Sequence, residues 1–302
     1  MESVFRIAES GDGYLAVERS SFVLRKLKRE NKIDEAIDFL IKLAHKLGDA
    51  GQWPAASVAA LHSIETIPKD AKTILTSIKR LMFNFIERAP PEAATPEFFT
   101  YAKKYSEKLG DRDHFIFKKK FDLAFETKQY TNVHCILFVE LSTTGQMIEP
   151  EIDFNDYIRR ALVSQWDWIS TLPQEDRDYT GQFIMGRFLL SMLGTSQNGY
   201  QLYDFSSQAM RETKPEGITD EFFEQPIMHF VSLFANACLR QNSAAATNLY
   251  ESYKPILETD SEFKKWFDAI KSIYCTQNQE QNVPNFGNIF QNVFRMFQPQ
   301  QN

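Results

Sequence analysis

The chain has 302 residues, 43% of them hydrophobic and 25% charged, enough for a large core or for many stacked repeats. Its formal charge of −6 counts against nucleic-acid binding carried by bulk electrostatics, and three isolated cysteines (Cys135, Cys238, Cys275) cannot make a disulfide framework or a paired-cysteine zinc site. Gly and Pro together number 24, too few for a sandwich or barrel of many short strands, whereas Phe numbers 26, the apolar wedge that packed helices use.

In chain order, the opening MESVFRIAES lacks the basic start and long apolar run of a signal peptide. No stretch approaches 18 uncharged apolar residues; the most apolar, residues 183–193, contains Arg187. A soluble, cytosolic protein is expected, with its thiols acting as small buried hydrophobes. A basic segment follows: Arg19, Arg25, Lys26, Lys28, Arg29 and Lys32 against Glu30 alone. Ile33, Ala36, Ile37, Leu40, Ile41, Ala44 and Leu47 then keep the three-four spacing of one helix face.

Thr95-Pro96-Glu97 reads as a cap and a first-turn proline ahead of a stripe of Phe98, Tyr101, Ala102, Tyr105 and Leu109. Residues 133–141, VHCILFVEL, fit a strand or a buried helix equally well. Residues 149–178 carry eight acids against three arginines. Further stripes run through Phe222, Pro226, His229, Phe230, Leu233 and Ala237, and, after the cap Asp260, through Phe263, Phe267 and Ile270. Short breaks separate a dozen or more such segments, so successive helices are expected to be antiparallel neighbours. The expected fold is all-α: a right-handed α-solenoid of stacked, TPR-like helical hairpins, about 14–16 helices, over residues 1–275. No exact repeat is visible.

Thirteen of the last 27 residues are Gln or Asn, yet Phe286, Ile289, Phe290, Val293, Phe294 and Phe297 make an apolar stripe on a helix expected over about 285–297. That stripe suits a cap on the preceding helices, help in holding a partner in a groove, or membrane contact.

Catalytic constellations are missing. There is no G-x-x-x-x-G-K-[ST] loop, no Gly-Lys dipeptide, no Gly-x-Ser-x-Gly and no His-Glu-x-x-His. His134 adjoins Cys135, but neighbours on a helix point about 100° apart and cannot readily share a proton. No enzyme, cofactor or metal site is expected.

Order and spacing then bring a resemblance. Gly11, Asp12, Tyr14, Ala16, Glu35 and Ala36 resemble the opening of the Golgi-to-ER traffic protein four family. Phe223, Gln225, Pro226, Phe230, Leu233, Tyr253, Pro255 and Leu257 resemble its Gln-Pro block and the Tyr-x-Pro-x-Leu that follows, and NFGNIFQNVFRMF resembles its closing amphipathic segment. Ser20, Ser21 and Val58 depart from the family pattern, while Glu65 matches it.

The resemblance implies a non-catalytic scaffold in the targeting of tail-anchored proteins. Residues 1–145 would face a targeting ATPase through Tyr14, Arg25, Lys26, Lys28, Arg29 and Glu65. Residues 146–275 and the tail would hold a ubiquitin-like-domain protein through Phe222, Phe223, Pro226, Met228, Phe286, Ile289, Phe290 and Phe294. In animals a large BAG-domain chaperone would also dock. The runner-up is a helical-repeat scaffold subunit of a proteasome-lid-like or translation-factor-like assembly.

Overall fold

A computed structural model describes residues 1–68, 74–109, 114–144, 153–195 and 199–275. Among the described residues all regular structure is helical. The chain divides into two compact units, Met1–Thr127 and Lys128–Asn302.

The first unit holds α1 (Glu2–Glu9), α2 (Gly13–Arg29), α3 (Ile33–Asp49), α4 (Trp53–Thr66), α5 (Thr76–Arg88), α6 (Pro96–Leu109) and α7 (His114–Glu126), with a 3-10 turn at Pro91–Ala93. Each helix packs on its neighbour or next neighbour in sequence: α2 on α1, α3 and α4; α5 on α3; α6 on α4; α7 on α5 and α6. Such short-range stacking is how repeated hairpins bury a continuous core. In α3 that core is Ala36, Ile37, Leu40, Ile41, Ala44 and Leu47, the face that the spacing marks. Each fully buried large apolar side chain contributes roughly 1.5–3 kcal/mol.

A repeat emerges in the backbone that side chains do not announce. Gly11, Asn31 and Gly51, twenty residues apart, adopt the left-handed conformation, with φ of 96°, 57° and 73°. After each, an amide reaches back five residues: Asp12 to Ile7 O, Lys32 to Leu27 O and Gln52 to Leu47 O. This is the Schellman stop, and the donor residue doubles as the N-cap of the next helix. Four residues on, Ala16, Ala36 and Ala56 are fully buried, small enough for the adjoining helix to approach closely. The same device returns in the second unit at Gln241, with Asn242 bonding Ala237 O and Ala246 fully buried.

The second unit holds α8 (Tyr130–Thr144), α9 (Phe154–Thr171), α10 (Gln174–Gly194), α11 (Gly199–Glu212), α12 (Pro226–Leu239), α13 (Ser243–Leu257) and α14 (Ser261–Tyr274), with a 3-10 turn at Asp220–Glu224. Residues 133–141 are helical: Val133, Leu137, Phe138 and Leu141 are buried at helical spacing. α10 is the hub, touching α8, α9, α11, α12 and α14, and is buried at nearly every position from Gly181 to Gly194. Its glycines permit this. A Cβ on Gly186 would lie 2.6 Å from Ile227 Cγ2 and 3.1 Å from Phe263 Cζ.

Candidate partner-binding surfaces

On α2 the inner face is small: Gly13, Ala16 and Ser20 are buried. A Cβ on Gly13 would stand 2.8 Å from the Ala55 Cβ of α4, so only glycine allows this approach. The Gln52 side chain that fills the remaining space donates to Ala8 O at 3.1 Å. Seated in this way, α2 turns its other face outward. At about 100° per residue, Tyr14, Glu18, Phe22, Arg25 and Arg29 fall within an arc of roughly 80°. Tyr14 is 73% exposed and Phe22 55%. The Arg25 guanidinium lies over the Phe22 ring, 4.6 Å from its centroid, and its Nε donates to Ser21 O at 3.3 Å.

Among the described residues no carboxylate pairs with Arg25, Lys26, Lys28 or Arg29. Two aromatics, Glu18 and the cations Arg25 and Arg29 therefore share one stripe, with Lys28 and Lys26 each about 40° beyond it on opposite sides. Glu65 is engaged elsewhere, paired with Lys104 of α6. Beside it the Lys108 ammonium donates to Ile64 O and Ile67 O at 2.9 and 3.0 Å, closing the end of α4. The exposure of Phe22 is set by how the whole first unit packs and not by the local pattern of α2.

In the second unit most of the residues expected to face the partner do not lie at the surface. Phe222, Phe223 and Met228 are buried. The Phe222 ring meets Trp166 edge-on at 5.1 Å, and a Cβ on Gly181 would touch it at 3.0 Å. Phe223 is covered by the Arg211 guanidinium at 4.2 Å. Gln182 Oε1 accepts from the Ile227 amide at 2.9 Å, satisfying the first turn of α12 from within α10. The two phenylalanines are the wedge under α12 because the 3-10 turn points both at α9–α11. Pro226 alone of the four is exposed. Phe286, Ile289, Phe290 and Phe294 lie outside the described residues.

A cavity of about 200 Å³ opens among α8, α9, α10 and α14, lined by Thr131, His134, Cys135, Gln165, Trp168, Ile184, Arg187 and Trp266. Ser191 Oγ donates to Phe188 O at 2.7 Å, so His134 Nε2 must donate to that Oγ, also at 2.7 Å. Burial and, secondarily, the Arg187 charge lower the His134 pKa to about 4. Burial pushes the Cys135 thiol up to about 12. A neutral imidazole and a protonated thiol line this cavity at neutral pH, and neither is poised for proton transfer. These wall residues come from four separate helices, so no local pattern could have signalled them.

Among the described residues no group of His, Cys, Asp and Glu is placed to hold a metal ion, and no helix is long and apolar enough to cross a membrane. No curated protein matches the chain. Among solved structures, the crystal structure of C. therm. Get4 is similar in fold, with a TM-score of 0.54 and 14% identity, covering 97% of this chain and 94% of that one. Residues 159–296, from within α9 through α14 and onward, match the family model described as Golgi to ER traffic protein 4. The resemblance read from the sequence is thus to the Golgi to ER traffic protein 4 family, matched over residues 159–296, on a chain that shares the Get4 fold along nearly its whole length.

Proposed function

We propose that this chain is a non-catalytic cytosolic adaptor in the post-translational targeting of tail-anchored membrane proteins to the ER. The observation that carries the reading is the family match across residues 159–296, a family named for traffic between Golgi and ER. In this reading the first unit engages a targeting ATPase and the second a ubiquitin-like-domain protein, with a large BAG-domain chaperone as a further partner. The exposed stripe of Tyr14, Phe22, Arg25 and Arg29 supports the first contact. Aromatic and arginine side chains dominate interface energetics, and unpaired cations steer an acidic partner. Glu65 would contribute at the edge of such a contact only after releasing Lys104.

For the second contact, Phe222, Phe223 and Met228 are buried, which supports reading them as the layer beneath a partner surface around the exposed Pro226. The apolar stripe at 286, 289, 290 and 294 remains with the second unit's role. The test is affinity purification of the chain from cytosol. Recovery of an ATPase with a deviant Walker loop together with a ubiquitin-like protein is the expected result. Recovery of proteasome-lid or translation-factor subunits in their place would overturn it.

A further inference from the structure

The cavity of the second unit is walled by rings and by polar groups whose charge is already answered. Trp168 is stacked on Tyr130, with centroids 6.0 Å apart and 7° between planes, and Trp266 stands edge-on to Phe138 at 5.5 Å. His134 leans on Phe188 at 5.0 Å and is neutral, its Nε2 donating to Ser191 Oγ at 2.7 Å. The Arg187 charge is met by Asp260, whose Oδ2 accepts from Nε at 2.8 Å. Nothing there calls for an ion.

Gln165 keeps a polar end in reserve. It is 1% exposed and lines the cavity. Its Nε2 donates to Tyr130 O at 3.1 Å, which fixes the amide and turns Oε1 the opposite way; among the described residues nothing donates to that oxygen. Oε1 is not sealed off as Ser164 Oγ and Ser206 Oγ are, so the space it meets is the cavity. A buried acceptor without a donor is costly, and the cavity therefore favours a guest that brings one. Water would satisfy the oxygen but not the ring walls, since an ordered water needs about two to four polar partners.

Volume sets the size of the guest. An apolar cavity of about 150 Å³ takes up benzene, so one of about 200 Å³ takes a larger ring system, a fused pair such as indole. Flat rings also suit walls built from tryptophan, where edge and face contacts add to the burial of apolar surface.

We propose that this cavity is a binding site for a small neutral aromatic molecule carrying an N–H donor, of the size of indole, with its ring between the walls of Trp168 and Trp266 and its N–H on Gln165 Oε1. The site lies wholly within the second unit, on α8, α9, α10 and α14, so it stands or falls apart from the adaptor reading. Its consequence is that occupancy stabilises this unit, because the guest binds only the folded chain.

The test uses the full chain, purified alone, with tryptophan labelled by nitrogen-15, so that the side-chain N–H signals of Trp53, Trp166, Trp168 and Trp266 are read separately. Indole is the probe; benzofuran, the same shape with oxygen in place of N–H, is its control. Indole should shift the Trp168 and Trp266 signals saturably and leave Trp53 in place. Benzofuran should bind roughly 3–10-fold more weakly, the worth of one hydrogen bond. Gln165→Met keeps the length of the side chain and removes the acceptor, so it should bring the two probes level, with a melting curve to show that the variant is folded. Should it not fold, the two probes on the parent chain decide alone. The proposal is overturned if indole moves neither Trp168 nor Trp266 saturably, or moves Trp53 as much. It is equally overturned if the parent chain binds benzofuran as tightly as indole, or if folded Gln165→Met still prefers indole.

Discussion

The Asp260 carboxylate joins two jobs at one point in the second unit: its Oδ1 accepts from the Glu262 amide at 3.0 Å, capping α14, while its Oδ2 accepts from Arg187 Nε at 2.8 Å. Arg187 sits in the middle of α10, so this residue pair ties the start of the last described helix to the hub of the unit. The Asp260 side chain is only 10% exposed, so the pair is not a solvated surface bridge.

Separating the two roles is straightforward. Asp260→Asn should keep the cap and lose the ion pair, and Asp260→Ala should lose both. We expect losses of about 1–2 kcal/mol for the first and about 2–4 kcal/mol for the second, because removal strands the half-buried Arg187 charge. Urea unfolding followed by tryptophan fluorescence measures both; equal midpoints for the two variants would remove the cap from the account.

Gly186→Ala tests the close packing of α10. Alanine improves helix propensity by about 1 kcal/mol but forces its methyl to within 2.6 Å of Ile227 Cγ2 and 3.1 Å of the Phe263 ring. Overpacking costs about 1–3 kcal/mol, so the net change should be destabilising. A raised melting temperature would show that Ile227 and Phe263 yield freely.

The left-handed stops predict a gain. Gln241 has φ of 52°, a conformation that costs a residue with a Cβ about 1–2 kcal/mol and costs glycine little. Gln241→Gly should therefore stabilise the chain by roughly 1 kcal/mol. Asn31→Gly should gain less, since Asn tolerates this region. Calorimetry that finds Gln241→Gly less stable than the parent would contradict the assignment.

His134 makes stability depend on pH. Its folded pKa, about 4, lies below the unfolded value near 6.5, so between these the unfolded chain binds the extra proton. The stabilisation is complete above about pH 6.5 and is lost as pH falls toward 4, by about 3 kcal/mol in total. His134→Gln should flatten this part of the profile. Unfolding midpoints at pH 5 and pH 7.5 that differ equally in parent and variant would place the dependence elsewhere.

If the proposed adaptor role holds, reversing Arg25, Lys28 and Arg29 to Glu should slow association with its proposed ATPase partner sharply at low salt and little at high salt, because exposed charges act mainly on the encounter. Binding of a ubiquitin-like protein, proposed for the other unit, should be unaffected. Stopped-flow rates at two ionic strengths decide it. A wild-type rate in low salt would leave the basic helix a solvated face.

Much of this architecture follows from local pattern. Apolar spacing marks the α3 core from Ala36 to Leu47, and Thr95 and Asp260 announce helix starts that the structure realises, because a cap and a periodic face act over four or five residues. Local pattern cannot say what a face meets. Phe22 and Phe222 are the same residue type on amphipathic segments, yet one is exposed beneath Arg25 and the other is wedged against Trp166. Burial is decided by which distant helices arrive, and Gly13 and Gly186 set how near they come. The ambiguous run at 133–141 becomes a helix for the same reason: its apolar residues find α9 and α10 to pack on. The left-handed stops at Gln241 and Lys128 have no glycine to betray them, since the stacked hairpins around them outweigh about 1 kcal/mol of backbone strain.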